Sequence, residues 1–136
     1  MKKIRINKGS LKAGLSGSPT AEQWAYIAGI FDGEGSLTYH NTQNAVSNRR
    51  VDIAQKDVTL LYWLESVLGG GVVRRRKEQD SHGADDFRIV RQRQVYEFLM
   101  GVLPYVIVKR EKVVVAIAEL DGRYHFAVSP FETVSE

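Results

Sequence analysis

The sequence predicts an α+β domain, an αββαββα unit around a sheet with one buried face. Three observations predict it. Apolar residues recur at helical spacing in separate stretches, and shorter stretches alternate apolar with polar residues. Their order is helix, two strands, helix, two strands, helices: the same unit twice, with no linker and too short to treat as a sequence repeat. At 136 residues and 43% hydrophobic content, the chain has room for one core of ordinary size and not for a second full domain.

Residues 1–18 are basic and rich in Gly and Ser, and read as a flexible arm. Thr20 opens the first helix as N-cap, with Gln23 three residues on completing a capping box. That helix is expected to run to about Asp32, where Gly33 and Gly35 stop it. Residues 36–44 and 47–55 form a predicted hairpin in which Leu37, Tyr39, Val51 and Ile53 alternate with polar residues. Asp57 caps a second helix carrying Leu60, Leu61, Leu64, Val67 and Leu68 at helical spacing, and Gly69 to Gly71 end it. The second strand pair is 72–77 and 86–90, joined by the polar loop Glu78 to Asp85. Val73, Phe87 and Ile89 face the core, which leaves Val72, Arg74, Arg76, Asp86 and Arg88 on the opposite face. A short helix from about Gln94 to Gly101 is broken by Pro104, and a last helix covers about Val106 to Leu120. Residues 121–136 give no clear signal.

Composition narrows the function classes. Without cysteine there are no disulfides, thiolate metal sites or cysteine nucleophile, and a reducing intracellular compartment is the natural one. The longest apolar stretches, such as Val113 to Ile117, fall far short of the roughly 20 residues that span a bilayer. No apolar signal core follows the N-terminal bases, so secretion is not expected. The net charge of +3 is unevenly spread: residues 1–19 hold Lys2, Lys3, Arg5, Lys8 and Lys12 and no acid. Further clusters run through Arg74 to Lys77, through Arg88, Arg91 and Arg93, and through Lys109, Arg110 and Lys112. Such clusters suit a polyanion, although charge runs are also the ordinary dress of a solvated face.

Two features of the first helix are unusual. Ala25, Gly29 and Gly33 recur at intervals of four on one face. Small residues at that spacing let another backbone approach, and each glycine otherwise costs a helix interior about 1 kcal/mol. Asp32-Gly33-Glu34-Gly35 then puts two carboxylates at the helix C-terminus, the negative end of its dipole. Acids are unfavourable there unless a cation or hydrogen-bond donors compensate, a breach of local rules that a functional site would produce. On those four residues alone, an ordinary helix-ending turn with solvated acids is an equally open reading. The histidines His40, His82 and His125 lack ligand spacing, and the Gly69–Gly71 run lacks the lysine of a phosphate loop.

The stretch Tyr26-Ile27-Ala28-Gly29-Ile30-Phe31-Asp32-Gly33-Glu34-Gly35 resembles the motif of the LAGLIDADG homing endonucleases, with Ile for its first Leu and Gly-Glu for Ala-Asp. Gln55, at the end of the second strand, resembles the family's active-site glutamine. Lys109, after Pro104-Tyr105, resembles its active-site lysine. The likeness covers about residues 20–120, so that 19–120 form the endonuclease-like domain between the arm and a tail of uncertain structure at 121–136.

The resemblance implies an antiparallel sheet shaped as a DNA-binding saddle, and a site-specific endonuclease that hydrolyses phosphodiester bonds of double-stranded DNA with a divalent metal. One motif per chain implies a homodimer whose motif helices pack together through Ala25, Gly29 and Gly33, on a near-palindromic target. Glu34, with Gly33 beside it, is the implied metal site. The implied ion is Mg²⁺, with Mn²⁺ able to substitute and Ca²⁺ supporting binding without efficient cleavage. Glu34, Gln55 and Lys109 form the implied catalytic set, Gln55 positioning water and Lys109 stabilising charge or activating the nucleophile. Asp32 is implied to be nearer to a structural acid. Each has a plainer reading: Gln55 as a surface strand end, Lys109 as a solvated cation, and Trp24 and Trp63 as core aromatics. Intron homing is the implied biology, in a prokaryotic or phage-infected cytoplasm or in an organelle.

The outward strand faces are the expected DNA reader. Thr38, His40 and Thr42, then Asn48, Arg50 and Asp52, then Arg74, Arg76 and Arg88 form a polar, mostly basic surface. Arginine can fork onto guanine and asparagine onto adenine, whereas flanking bases such as Arg75 and Lys77 suit phosphate. Two other readings stand beside this one: a DNA- or RNA-binding protein of the same fold that does not cleave, such as an intron maturase or regulator, and a protein-interaction domain. The interaction domain leaves the paired acids and the basic sheet unexplained, and the retention of Glu34, Gln55 and Lys109 favours the enzyme over the binder.

Overall fold

The computed structural model describes residues 14–40, 48–76 and 84–127. Thr20 caps α1 (Ala21–Glu34) as expected, its hydroxyl accepting the Gln23 N–H at 3.1 Å while the Gln23 amide accepts the Thr20 N–H at 2.9 Å. The helix runs two residues past Asp32, because its stop is Gly35, which leaves in extended conformation with its N–H on the Phe31 carbonyl. Then follow β1 (Gly35–Tyr39), β2 (Arg49–Gln55), α2 (Val58–Leu68), β3 (Val72–Arg74), β4 (Asp85–Ile89), α3 (Gln92–Val102) and α4 (Arg110–Tyr124). The fold is α+β, with one antiparallel sheet in the order β1-β2-β4-β3.

Helices cover one face of this sheet. Leu37, Val51, Ile53, Phe87 and Ile89 point into a core completed by Ile27, Ala28 and Phe31 of α1, Leu61, Leu64 and Leu68 of α2, and Val95, Phe98, Leu99 and Val102 of α3. Phe31 meets Phe98 edge-on at 5.2 Å between ring centres, and Trp24 packs on the same ring. Trp24 and Trp63 therefore serve packing, Trp63 edge-on to the exposed Tyr26 at 5.4 Å. Gly71 marks a forced turn: its φ is +79°, and a Cβ there would fall 2.3 Å from the Phe87 ring.

Several boundaries differ from the sequence reading. The strands are shorter than expected, and Thr42 and Lys77 lie outside the described residues. β3 ends at Arg74 because the Asp85 carboxylate takes the Arg76 N–H at 2.8 Å and the Arg75 Nε at 3.0 Å, turning the chain away from the ladder. Arg76, expected on the strand, thus lies beyond it. α3 starts at Gln92, whose buried amide accepts the Arg49 N–H at 2.8 Å and donates to the Arg49 and Val90 carbonyls. α4 starts four residues later than expected and runs on to Tyr124, and Phe126 beyond it is buried against Tyr96 and Tyr124. At the other end, residues 14–18, read as arm, are in part docked: Leu15 N–H reaches Glu97 at 2.7 Å, and Ser16 and Gly17 bond the carbonyls at the end of α2. No helix among the described residues is long and apolar enough to cross a membrane.

Candidate active site and nucleic-acid interface

The chain turns from α1 into β1 at Glu34-Gly35, and Gly35 pairs with Ile53, two residues before Gln55. Gln55 pairs in turn with Asp85, the first residue of β4. The end of α1, the start of β1 and the end of β2 therefore share one end of the sheet. Lys109, the N-cap residue of α4, reaches the same place: its Nζ donates to the Asp32 carbonyl at 2.8 Å. Glu34, Gln55 and Lys109, separated by 75 positions in sequence at most, are gathered at the C-terminal end of α1.

Asp32 explains how. Its carboxylate accepts the Ile107 N–H at 2.7 Å and the Lys109 N–H at 3.0 Å. Partial burial works to raise its pKa, but the backbone N–H groups of Ile107, Lys109 and Val108, with the Lys109 charge, hold it below the ordinary carboxylate value. Donors and a cation thus compensate this acid at the negative end of the helix, as its position demanded. The same clamp accounts for the late start of α4, since it holds 107–109 as a turn instead of a first helical turn. Asp32 faces the 107–109 loop, and Glu34 is left exposed, its side chain making no hydrogen bond or ion pair to another described residue.

The donors near Glu34 suit a hard cation, being the Glu34 carboxylate and the Gly33 carbonyl, both oxygen. Among the described residues no cluster of three or more acids, histidines or cysteines able to hold a metal occurs. A groove of about 390 Å³ lined by Leu37, Tyr39, Arg49, Glu111, Lys112 and Val115 lies apart from this group. Beside it the buried Arg49 stacks on Tyr39 at 3.9 Å and bonds Glu119, which ties the sheet to α4.

One face of α1 has no cover among the described residues. Ala25, Gly29 and Gly33 are exposed, and a Cβ added to either glycine would meet nothing within 4 Å. Packing among the described residues therefore does not require glycine at these positions.

The outward face of the sheet carries Thr38, Arg50, Asp52, Arg74, Asp86 and Arg88, with Thr38 opposite Arg50, Asp52 opposite Arg88, and Arg74 opposite Asp86. It is less basic than the sequence suggested, because its arginines are interleaved with acids. Asp52 receives Arg50 Nε at 2.7 Å and Arg88 Nε at 2.6 Å, and Asp86 lies 3.6 Å from Arg74 and 3.8 Å from Arg88. Asn48 is drawn off this face, its amide oxygen taking the Tyr124 hydroxyl. His40 continues the hairpin by donating its N–H to the Asn48 carbonyl at 2.7 Å. Asp52 and Asp86 were expected on this face, but the Asp52–Arg88 pairing was not readable, because only strand register brings residues 52 and 88 together.

Comparison with solved structures gives the fold its place. The homing endonuclease I-CvuI, in complex with the I-CreI DNA target, matches with a TM-score of 0.63 and 20% identity over 74% of this chain and 66% of its own. The fold is that of the LAGLIDADG homing endonucleases. The archaeal intron-encoded homing endonuclease I-Vdi141I, complexed with DNA, matches with a TM-score of 0.62 and 19% identity over 76% of this chain and 70% of its own. The group I intron-encoded I-CeuI, also complexed with DNA, gives 0.54 and 20% over 77% and 55%. The match thus spans two thirds or less of the I-CvuI and I-CeuI chains. I-CvuI structures with DNA were obtained in the presence of Mg and of Ca. No protein-family model and no curated protein sequence matches the chain.

Proposed function

We propose that this chain is a member of the LAGLIDADG family: a site-specific, metal-dependent endonuclease that hydrolyses double-stranded DNA as a homodimer. The gathering of Glu34, Gln55 and the Lys109 amine at the end of α1, with Glu34 uncommitted, is the observation that carries this reading. The uncovered Ala25-Gly29-Gly33 face supports a second copy packed on α1. Two copies would bring two Glu34 carboxylates together and so add oxygens to those that one Glu34 and Gly33 offer.

Glu34 and the Gly33 carbonyl would hold Mg²⁺, or Mn²⁺ in its place. Such an ion neutralises phosphate charge and lowers the pKa of an attacking water. Lys109, held at the helix end by the Asp32 clamp, faces the developing negative charge of the phosphate. The Gln55 amide, able both to donate and to accept, orients water at the strand end. The sheet face lies along the major groove of a near-palindromic target, since a two-fold axis between subunits imposes two-fold symmetry on the half-sites.

The test is Glu34→Gln. Cleavage of a plasmid library in Mg²⁺ should be lost, while binding of the same DNA in Ca²⁺ stays within roughly tenfold, because the acid serves the metal and not the bases. Cleavage at the wild-type rate would sink the assignment. Wild-type protein that shifts DNA but never nicks it in Mg²⁺ or Mn²⁺ would favour a non-cleaving binder of the same fold.

A further inference from the structure

The outward sheet face has an acid at its centre. Asp52 is more buried than the two arginines it holds, its side chain 14% exposed against 30% for Arg50 and 28% for Arg88. Each carboxylate oxygen receives one arginine, and each arginine is held through Nε: Arg50 Nε to Oδ2 at 2.7 Å and Arg88 Nε to Oδ1 at 2.6 Å. The Nη1 and Nη2 groups of both make no hydrogen bond to another described residue, and Arg88 Nη2 lies 3.8 Å from the Asp86 carboxylate. An arginine bound at Nε keeps its end-on fork of two donors, the geometry that matches guanine O6 and N7.

We infer that Asp52 is a specificity-determining residue that does not itself contact DNA: it holds Arg50 and Arg88 as a pair of end-on guanine readers. This rests on the proposed DNA-cleaving function. Sheet geometry makes the two arginines diagonal neighbours, Arg88 directly across from Asp52 and Arg50 two residues along the same face. Diagonal neighbours are about 7 Å apart at the backbone, about two base-pair rises of ~3.4 Å, so each half-site carries two guanines within about two base pairs of each other. The carboxylate also faces the phosphates with negative charge. Phosphate affinity is thereby lowered while the arginine forks are fixed, which trades non-specific binding for discrimination.

The experiment profiles binding to a library of randomised half-sites in Ca²⁺ for wild type, Arg50→Ala, Arg88→Ala, Arg50→Lys and Asp52→Asn, with urea unfolding of each variant. Asparagine keeps the size of Asp52 and removes its charge. Arg50→Ala and Arg88→Ala should each erase a guanine preference at one position, and Arg50→Lys should erase the same one as Arg50→Ala, since an ammonium lacks the fork. Asp52→Asn should weaken both preferences about tenfold while binding to random-sequence DNA tightens. Unchanged guanine preferences in Asp52→Asn would overturn the inference. So would a loss confined to a cytosine position that neither arginine variant touches, because the acid would then be reading cytosine N4 itself. If wild type binds no sequence selectively, the endonuclease reading falls as well; if wild type is selective and only the Asp52→Asn result fails, that reading survives.

Discussion

At the scale of single residues, Asp32 and Glu34 show how neighbouring acids of one turn come to different work. Asp32 points at backbone N–H groups and is consumed by them, whereas Glu34 meets no described partner. Asp32→Ala should therefore destabilise the fold by about 1–3 kcal/mol, the usual loss for hydrogen bonds to a charged group, read as a lower urea midpoint at unchanged m-value. It should also slow cleavage through the displaced Lys109 loop without changing base preference. Glu34, Gln55 and Lys109 were named by resemblance to the family's motif and active-site positions, and the dipole rule flagged Asp32 as needing compensation. The identity of its donors was not readable, because Ile107 and Lys109 lie 75 and 77 residues away. Asp52 was readable as an outward residue, but its two arginines were not, since one of those contacts exists only through the β2–β4 register.

At the scale of elements, period and capping placed all the major helices and strands, and the ends moved wherever a long-range hydrogen bond intervened. Asp85 shortened β3, Asp32 delayed α4, and Gln92 extended α3 backwards by bonding the backbone of Arg49. Gln92→Ala should cost about 1–3 kcal/mol, because it leaves the buried backbone N–H and carbonyl of Arg49 without their partner. The C-terminal extension of α4 gave no sequence signal, yet Phe126 closes an aromatic cluster with Tyr96 and Tyr124. Burial, with the Asp121 charge added and Arg93 opposing, raises the Tyr96 pKa above its ordinary 10.0. The neutral phenol is thus favoured in the folded state: its contribution is complete below pH 10.0 and is lost as pH rises through the raised value. Tyr96→Phe should flatten the alkaline limb of a stability-against-pH curve, and an unchanged limb would place the titrating group elsewhere.

At the scale of the whole molecule, the uncovered face of α1 is the feature that one chain does not explain. At Gly29 an added Cβ meets no atom of the described residues within 4 Å, and Gly29→Leu replaces a poor helix former with a good one, so the isolated subunit should keep or gain stability, by up to about 1 kcal/mol. In the proposed dimer the same side chain would push two helices apart. Sedimentation should then show monomers where wild type shows dimers, with cleavage lost and the far-ultraviolet circular dichroism unchanged. A dimeric Gly29→Leu protein would place the subunit contact elsewhere.

The short β3 has a colloidal consequence. It is the outermost strand on its side of the sheet and presents unpaired backbone groups along its free edge, the usual template for edge-to-edge aggregation. Only three residues long, it ends at the exposed Arg74 and is followed by the exposed Arg75 and Arg76, three arginines against the two acids Asp85 and Asp86, and that excess of positive charge repels a second copy approaching along that edge. Protection of this kind is electrostatic and fades as salt shortens the Debye length, from about 10 Å at 0.1 M to about 3 Å at 1 M. Light scattering during refolding should therefore rise with added salt, and Arg75→Ser with Arg76→Ser should bring the rise to lower ionic strength.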